Sequence, residues 1–294
     1  MPSHRTIGVA VLGAGLIGLD LLDRIRRSPW LGCRLVASHR QNLGLIRAAE
    51  TGLPTTTGGI TALMDAIDGI DVVFDASNAD SHAKHWQHLE PTGVLLVDLT
   101  PSNLGTATVP TVNGADVPSE RHIGLVSCGG QAAIPLLYAI AQHRTPRYVE
   151  LVSTGASRSA GRATRLNLDE YIDTTQRAVC HFSGAPTARV LVNLSPATPP
   201  PPFRVTLTAL VDAPDSEVMH QLVQAAAQRV QAFVPGYAVT ALETGHDRVT
   251  VTVEVTATGE RIPAHAGNLE IINAAAIQVA ELRADALHPE GARS

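Results

Sequence analysis

In the first third of the chain, short continuous apolar runs alternate with stretches whose apolar residues recur at helical spacing. Thr6–Gly13 (TIGVAVLG) reads as a buried strand, and Leu16–Arg27 as the helix that follows it. Cys33–Ser38, Val72–Asp75 and Val94–Leu99 repeat the strand pattern with helical segments between them, one running through Arg47–Thr51. Such β-branched runs joined by helices predict a parallel sheet covered on both faces. The pattern changes near Cys128. Ile123–Ser127 is strand-like, and Gln131–Gln142 is apolar at helical spacing. Tyr148–Thr154, Arg189–Asn193 and Arg204–Val211 read as strands, Leu168–Cys180 and Ser216–Phe233 as helices. Val239–Leu242 and Arg248–Thr256 (RVTVTVEVT) read as a two-stranded unit whose strict alternation leaves one face to water. Pro199–Pro202 fits neither a central strand nor a helix interior and must be a connection. Asn268–Leu287 is a long alanine-rich helix.

Composition narrows the class. A length of 294 residues predicts two domains, each with its own core. The net charge of −5 offers no basic surplus for a nucleic-acid backbone. No apolar run reaches the span of a bilayer, and the start MPSHRTIGVAVLG reads as a strand rather than a signal peptide. Cys33, Cys128 and Cys180 are unevenly placed, which argues against a disulfide scaffold or a zinc ribbon. Lys84 is the only lysine, so Schiff-base chemistry is not expected. The expectation is a cytoplasmic enzyme of small molecules.

Gly13-Ala14-Gly15-Leu16-Ile17-Gly18 is G-x-G-x-x-G between a strand and a helix. The first glycine allows the tight turn, the second lets backbone approach a pyrophosphate, and the third lets helix pack on strand. In this context the motif predicts dinucleotide binding in a Rossmann domain. An acidic residue at the end of the second strand would favour NAD, but Ala37-Ser38-His39-Arg40 has none. Ser38 and Arg40 suit a 2′-phosphate, which makes NADP the rival of NAD. His82, His85 and His88 step by three around a helix and cannot easily meet one ion, so no metal site is expected. Asp98 closes a strand, as a cofactor-side group or a turn cap.

Ser127-Cys128-Gly129-Gly130-Gln131 follows a strand and opens a helix, where the helix dipole would stabilise a thiolate. Amides at this helix start are candidates to steady an oxyanion. Here the chain resembles the acylating acetaldehyde dehydrogenases that partner 4-hydroxy-2-oxovalerate aldolases. The resemblance rests on GAGLIG (Gly13–Gly18), DVVFDAS (Asp71–Ser77), VDLTPSNLG (Val97–Gly105), VPTVN (Val109–Asn113) and SCGGQAAIP (Ser127–Pro135). It continues through SRSAGRATRLNLDEY (Ser157–Tyr171), VPGY (Val234–Tyr237) and IPAHAGNLEI (Ile262–Ile271).

The resemblance implies that Cys128 adds to a small aldehyde, that hydride passes to NAD or NADP, and that coenzyme A takes the acyl group, or the reverse from an acyl-CoA. It implies dinucleotide contacts at Ala14, Gly15, Leu16 and Ile17, along Arg158, Ser159, Ala160, Gly161, Arg162, Ala163, Thr164, Arg165 and Leu166, and at Asn268. Asn268 also joins Cys128 as a catalytic candidate, set to steady the oxyanion. The fold implied is α/β: a Rossmann domain over 1–127, an α+β catalytic and dimerisation domain over 128–267, and a C-terminal helix over 268–294 returning to the first. A homodimer and an aldolase partner follow from the same resemblance.

Three positions depart from the family. The Asp that closes the second strand is His39 here, and the Asp that follows an Arg in a later strand is Val205, after Arg204. Valine can neither move a proton nor orient a group that does. The Tyr before AGN is His265, an imidazole that could take over from the missing carboxylate. The loop before Ile262 is also shorter than usual. Two rival readings follow: a phosphate-dependent semialdehyde dehydrogenase, and a catalytically weak partner subunit of an aldolase.

Overall fold

The computed structural model describes residues 6–161, 165 and 167–288. Arg162, Ala163, Thr164 and Leu166 of the expected contact stretch lie outside the described residues. The chain divides into two compact units: one runs to Leu125 and resumes at Ala276, and the other is Val126–Ala275.

In the first unit, β1 (Ile7–Leu12), β2 (Leu31–Ala37), β3 (Thr55–Thr56), β4 (Val72–Asp75), β5 (Leu95–Asp98), β6 (Thr106–Thr108) and β7 (His122–Leu125) form one sheet. Its order is β3-β2-β1-β4-β5-β7-β6, and every pairing is parallel. Parallel neighbours need crossovers, supplied by α1 (Leu16–Arg27), α2 (Leu43–Glu50), α3 (Gly59–Asp65), α4 (Ala79–Leu89) and the short α5 (Pro110–Asn113). Leu12, Leu35, Val73 and Leu96 pack with Leu63 of α3 and Leu89 of α4, and Trp86 lies against this core. The strand order reverses at β1 and β4, the place where open α/β sheets take their ligands. The short β3 and β6 carry no apolar run long enough to be read from sequence.

In the second unit come α6 (Cys128–His143), β8 (Tyr148–Ala156), α7 (Leu168–Ser183), β9 (Ala188–Ser195), β10 (Phe203–Leu210), α8 (Ser216–Gln231), β11 (Tyr237–Thr244) and β12 (Arg248–Val255). The strand order is β11-β12-β10-β8-β9, antiparallel except between β8 and β9. The pair read as a separate two-stranded unit is therefore part of a larger sheet, because β12 also pairs with β10 along its whole length. Val249, Val251, Val253 and Val255 are buried on one face. On the other, Thr252 and Thr250 meet Thr206 and Thr208 at 3.3 Å each. That face is half-buried rather than open.

The last helix, α9 (Gly267–Leu287), leaves the second unit at Ala275. Its later half is held within the first unit, where Ser28 donates to Glu281 at 2.6 Å and Arg283 donates to the Pro118 carbonyl.

Candidate active site

Gly13 has φ +100°, and a Cβ there would lie 2.6 Å from the Ala76 carbonyl oxygen, so this turn admits only glycine. Gly18 is held as closely against the Gly13 carbonyl. Gly15, the N-cap of α1, differs: a Cβ there would meet nothing within 4 Å. Open space over a glycine at a helix start is what a pyrophosphate requires. Ala14 is buried, Ile17 half-buried and Leu16 exposed. After β2, Ser38 is buried and accepts from Asn42 Nδ2 at 3.2 Å, whereas His39 and Arg40 are exposed.

Beneath the adjoining strand ends lies a buried polar cluster. Asp75, closing β4, accepts from His82 Nδ1 at 2.8 Å and His85 Nδ1 at 2.6 Å, and from the Ser77 hydroxyl and N–H. His82 Nε2 meets His122 Nε2 at 2.7 Å and lies 3.3 Å from Asp98. Trp86 stacks on His122 with ring centres 4.4 Å apart. Asp98 takes the Thr100 N–H and the Ser102 hydroxyl, which makes it a turn cap as well as a member of the cluster.

Despite the cost of its own burial, Asp75 is held below the ordinary carboxylate range by His82, His85 and Ser77. Desolvation pushes Asp98 up to about 6 and His122 down to about 4. Helical spacing hid this arrangement. His82 and His85 share Asp75, His88 turns away to the Lys84 carbonyl, and the third imidazole comes from β7. No group among the described residues is arranged to hold a metal ion.

In the second unit, α6 begins at Cys128, three residues earlier than its apolar spacing predicts. Two glycines are poor helix formers, so capping carries the start. Ser127 Oγ accepts the Gly130 N–H at 3.1 Å, and Tyr171 of α7 accepts the Gly129 N–H at 3.1 Å. These amides, expected as oxyanion donors, therefore already have partners. The Tyr171 hydroxyl also lies 3.2 Å from Cys128 Sγ. Thr175, one turn on, has Oγ1 at 2.6 Å from both Ser127 Oγ and the Tyr171 carbonyl oxygen.

Burial pushes the Cys128 thiol above its usual value, against the pull of Tyr171 and of the Gly129 and Cys128 amides. Desolvation thus outweighs the helix-end effect. Burial and the sulfur likewise push the Tyr171 hydroxyl up. Cys33, beside a strand carbonyl, is raised to about 11 by burial.

Arg158 is exposed and Ser159 buried, with its hydroxyl on the Ala156 carbonyl at 2.8 Å. Ala160 is half-buried, Gly161 is exposed, and Arg165 ties this stretch together through Ser157 Oγ at 2.9 Å and the Ala160 carbonyl at 3.2 Å. Asn268 donates to the Ser159 carbonyl at 3.2 Å, while its Oδ1 is buried without a partner. His265 is half-buried in the turn before α9, and no hydrogen bond joins it to Cys128 among the described residues. Val205 is 1% exposed and pairs in register with Ser153 of β8, whose Cβ would lie 3.4 Å from a Cβ on Gly129. Val205 is thus core packing beside the head of α6 and offers no carboxylate there.

Tyr171 and Thr175 were not singled out from the sequence. Their i,i+4 spacing on α7 was visible, but that this edge meets the head of α6 was not.

A doubly wound sheet with an open glycine turn, joined to a unit with a cysteine at a capped helix head, defines a dehydrogenase-type α/β architecture. Aspartate semialdehyde dehydrogenase II from Vibrio cholerae has a similar fold, with a TM-score of 0.66 at 14% identity over 95% of this chain and 98% of that one. Residues 128–263 match the family described as prokaryotic acetaldehyde dehydrogenase, dimerisation. An acetaldehyde dehydrogenase of Streptomyces griseus is 48% identical over 94% of this chain and 90% of its own length. Another, of Pectobacterium atrosepticum, is 40% identical over 95% and 96%. The chain belongs to the acetaldehyde dehydrogenase family and is an oxidoreductase. Among the described residues no helix is long and apolar enough to cross a membrane.

Proposed function

We propose that this protein is a CoA-acylating aldehyde dehydrogenase that interconverts a small aldehyde, acetaldehyde in the first instance, and its acyl-CoA, with Cys128 as nucleophile. The observation that carries this reading is the Cys128 thiol at the head of α6, held by Tyr171 and the helix amides inside a family match that covers nearly the whole chain.

A nicotinamide dinucleotide fits the residues present. The open side of Gly15, at the start of α1, would take the pyrophosphate. A bound nicotinamide would supply the hydride acceptor for oxidation of the thiohemiacetal. Cys128 loses its proton to water at its accessible edge, and the thiolate adds to the aldehyde carbon, placing negative charge on the oxygen. After oxidation Cys128 holds the acyl group as a thioester. The sulfur of coenzyme A then attacks the acyl carbon, and Cys128 leaves as thiolate. Val205 can take no part in these proton movements. An imidazole at His265 could assist proton transfer in these steps, and unchanged turnover of His265→Phe at pH 7 would remove it.

Arg40, exposed after a strand end without an acid, supports use of NADP beside NAD. The dimerisation-domain match supports a homodimer through residues 128–263, and co-purification would test an aldolase partner. The deciding experiment follows nicotinamide absorbance with acetaldehyde, supplying CoA or phosphate, and NAD or NADP, in separate reactions. Reduction that requires CoA is the expected result. Reduction that requires phosphate would favour the semialdehyde dehydrogenase reading.

A further inference from the structure

The hydroxyl of Tyr171 occupies a position that the chemistry at Cys128 needs filled. The strand position after Arg204 is Val205, buried and aliphatic. No imidazole or carboxylate hydrogen-bonds the sulfur among the described residues. Among the described residues, the side chain that does is Tyr171, at 3.2 Å. Its orientation is fixed from behind. The Gly129 N–H has only a hydrogen to give, so at 3.1 Å it occupies a lone pair of the tyrosine oxygen. The hydroxyl's own hydrogen can then reach the sulfur, with Ser127 as a further neighbour of the tyrosine oxygen. Once the thiol has lost its proton, sulfur can only accept, and the direction of the bond is settled.

The same chain of contacts explains how the helix end acts on a sulfur that burial would keep protonated. The Gly129 amide polarises the tyrosine hydroxyl, which in turn donates to Sγ, and each bond strengthens the next. The environment holds this geometry in place. Thr175 binds the Tyr171 carbonyl at 2.6 Å on the same turn of α7 and reaches Ser127, the cap of α6. A Cβ on Gly129 would stand 3.1 Å from the tyrosine oxygen, so a larger residue there would press on the hydroxyl. Tyr171 is no base: it keeps its own proton throughout, and the proton of Cys128 leaves to water, so the step is thiol to thiolate plus a solvated proton.

We propose that Tyr171 is a catalytic residue of this chain, its hydroxyl donating to Cys128 Sγ to hold the thiolate. The proposal rests on the reading of Cys128 as the nucleophile.

The test is the pH dependence of iodoacetamide alkylation, read on the Cys128 peptide by mass spectrometry so that Cys33 and Cys180 do not contribute. In Tyr171→Phe the midpoint moves up by about 1 to 2 pH units, the worth of one hydrogen bond to a charged group. Alkylation at neutral pH falls by about tenfold or more, and kcat falls with it. An unchanged midpoint in the folded variant overturns the proposal.

Tyr171→Phe also strands the Gly129 amide and can fail to fold. A fluorinated tyrosine at position 171 keeps the ring and the contacts but is a stronger donor, so the midpoint must move down. A midpoint that stays or rises with fluorination also overturns the proposal. Both readouts are independent of turnover. Shifted midpoints in a protein without CoA-dependent dehydrogenase activity would therefore uphold the Tyr171–Cys128 coupling while removing the reaction assigned to it.

Discussion

Asp75, His82, Asp98 and His122 in the first unit and Cys128 with Tyr171 in the second are both buried titratable groups, and they are held in different ways. The first set lies under the ends of β4 and β5 with nearly every polar atom matched: Asp75 alone takes four hydrogen bonds. A charge survives there because several neighbours contribute to it, and Asp75 stays ionised despite its burial. The second set has no counter-ion. Burial raises both the thiol and the phenol, and only hydrogen-bond donors oppose it. The difference is between a site built to hold one charge state and a site poised so that a charge can form when needed. A cluster of the first kind serves as scaffold beneath the loop that meets the glycine turn, since Ala76 lies directly against Gly13.

That contrast can be broken at either end. Cys128→Ala should lower turnover by about a thousandfold or more while leaving thermal unfolding close to wild type, because the nucleophile has no substitute. Asp75→Ala should do the opposite. Removing the shared acceptor leaves two imidazoles and the Ser77 N–H without it, at a cost of about 3–5 kcal/mol in denaturant unfolding. Smaller and more local is Gly15→Ala. Its Cβ enters open space, so stability should hold, while the KM for the dinucleotide should rise by about tenfold, equal to about 1.4 kcal/mol.

The smallest effect concerns pH. His122, lowered to about 4, stays neutral in the folded chain where the unfolded one protonates near its ordinary value, so acidification from pH 7 towards 4 costs stability. Asp98, raised to about 6, binds its proton sooner when folded, so the same acidification returns stability. The two oppose each other. Asp98→Asn should therefore show a steeper loss of unfolding free energy between pH 7 and pH 4, by roughly 1 kcal/mol, than the wild type.

What could be read from the sequence follows the range of each signal. The glycine turn was legible because strand, turn and helix are contiguous in Thr6–Arg27, and the position of Cys128 because SCGGQ sits at a local boundary. The parallel sheet followed from its apolar runs, although β3 and β6 are too short to announce themselves. Contacts made by chain crossing were not legible. Helical spacing presented His82, His85 and His88 as a set, whereas the cluster takes His122 from a strand 40 residues away and turns His88 out. Tyr171 lies 43 residues beyond Cys128, and only the packing of α7 on α6 makes them neighbours. His265 stood out by its departure from the family, but departure alone does not bring a side chain to the sulfur.

The most direct test of the central claim is to trap the acyl group. Protein incubated with acetaldehyde and nicotinamide cofactor, without CoA, should reduce about one equivalent of cofactor per chain and carry an acetyl group on the Cys128 peptide by mass spectrometry. Adding CoA should release that group as acetyl-CoA. Sustained cofactor reduction with no acyl group on Cys128, or with the label on another residue, would contradict the account.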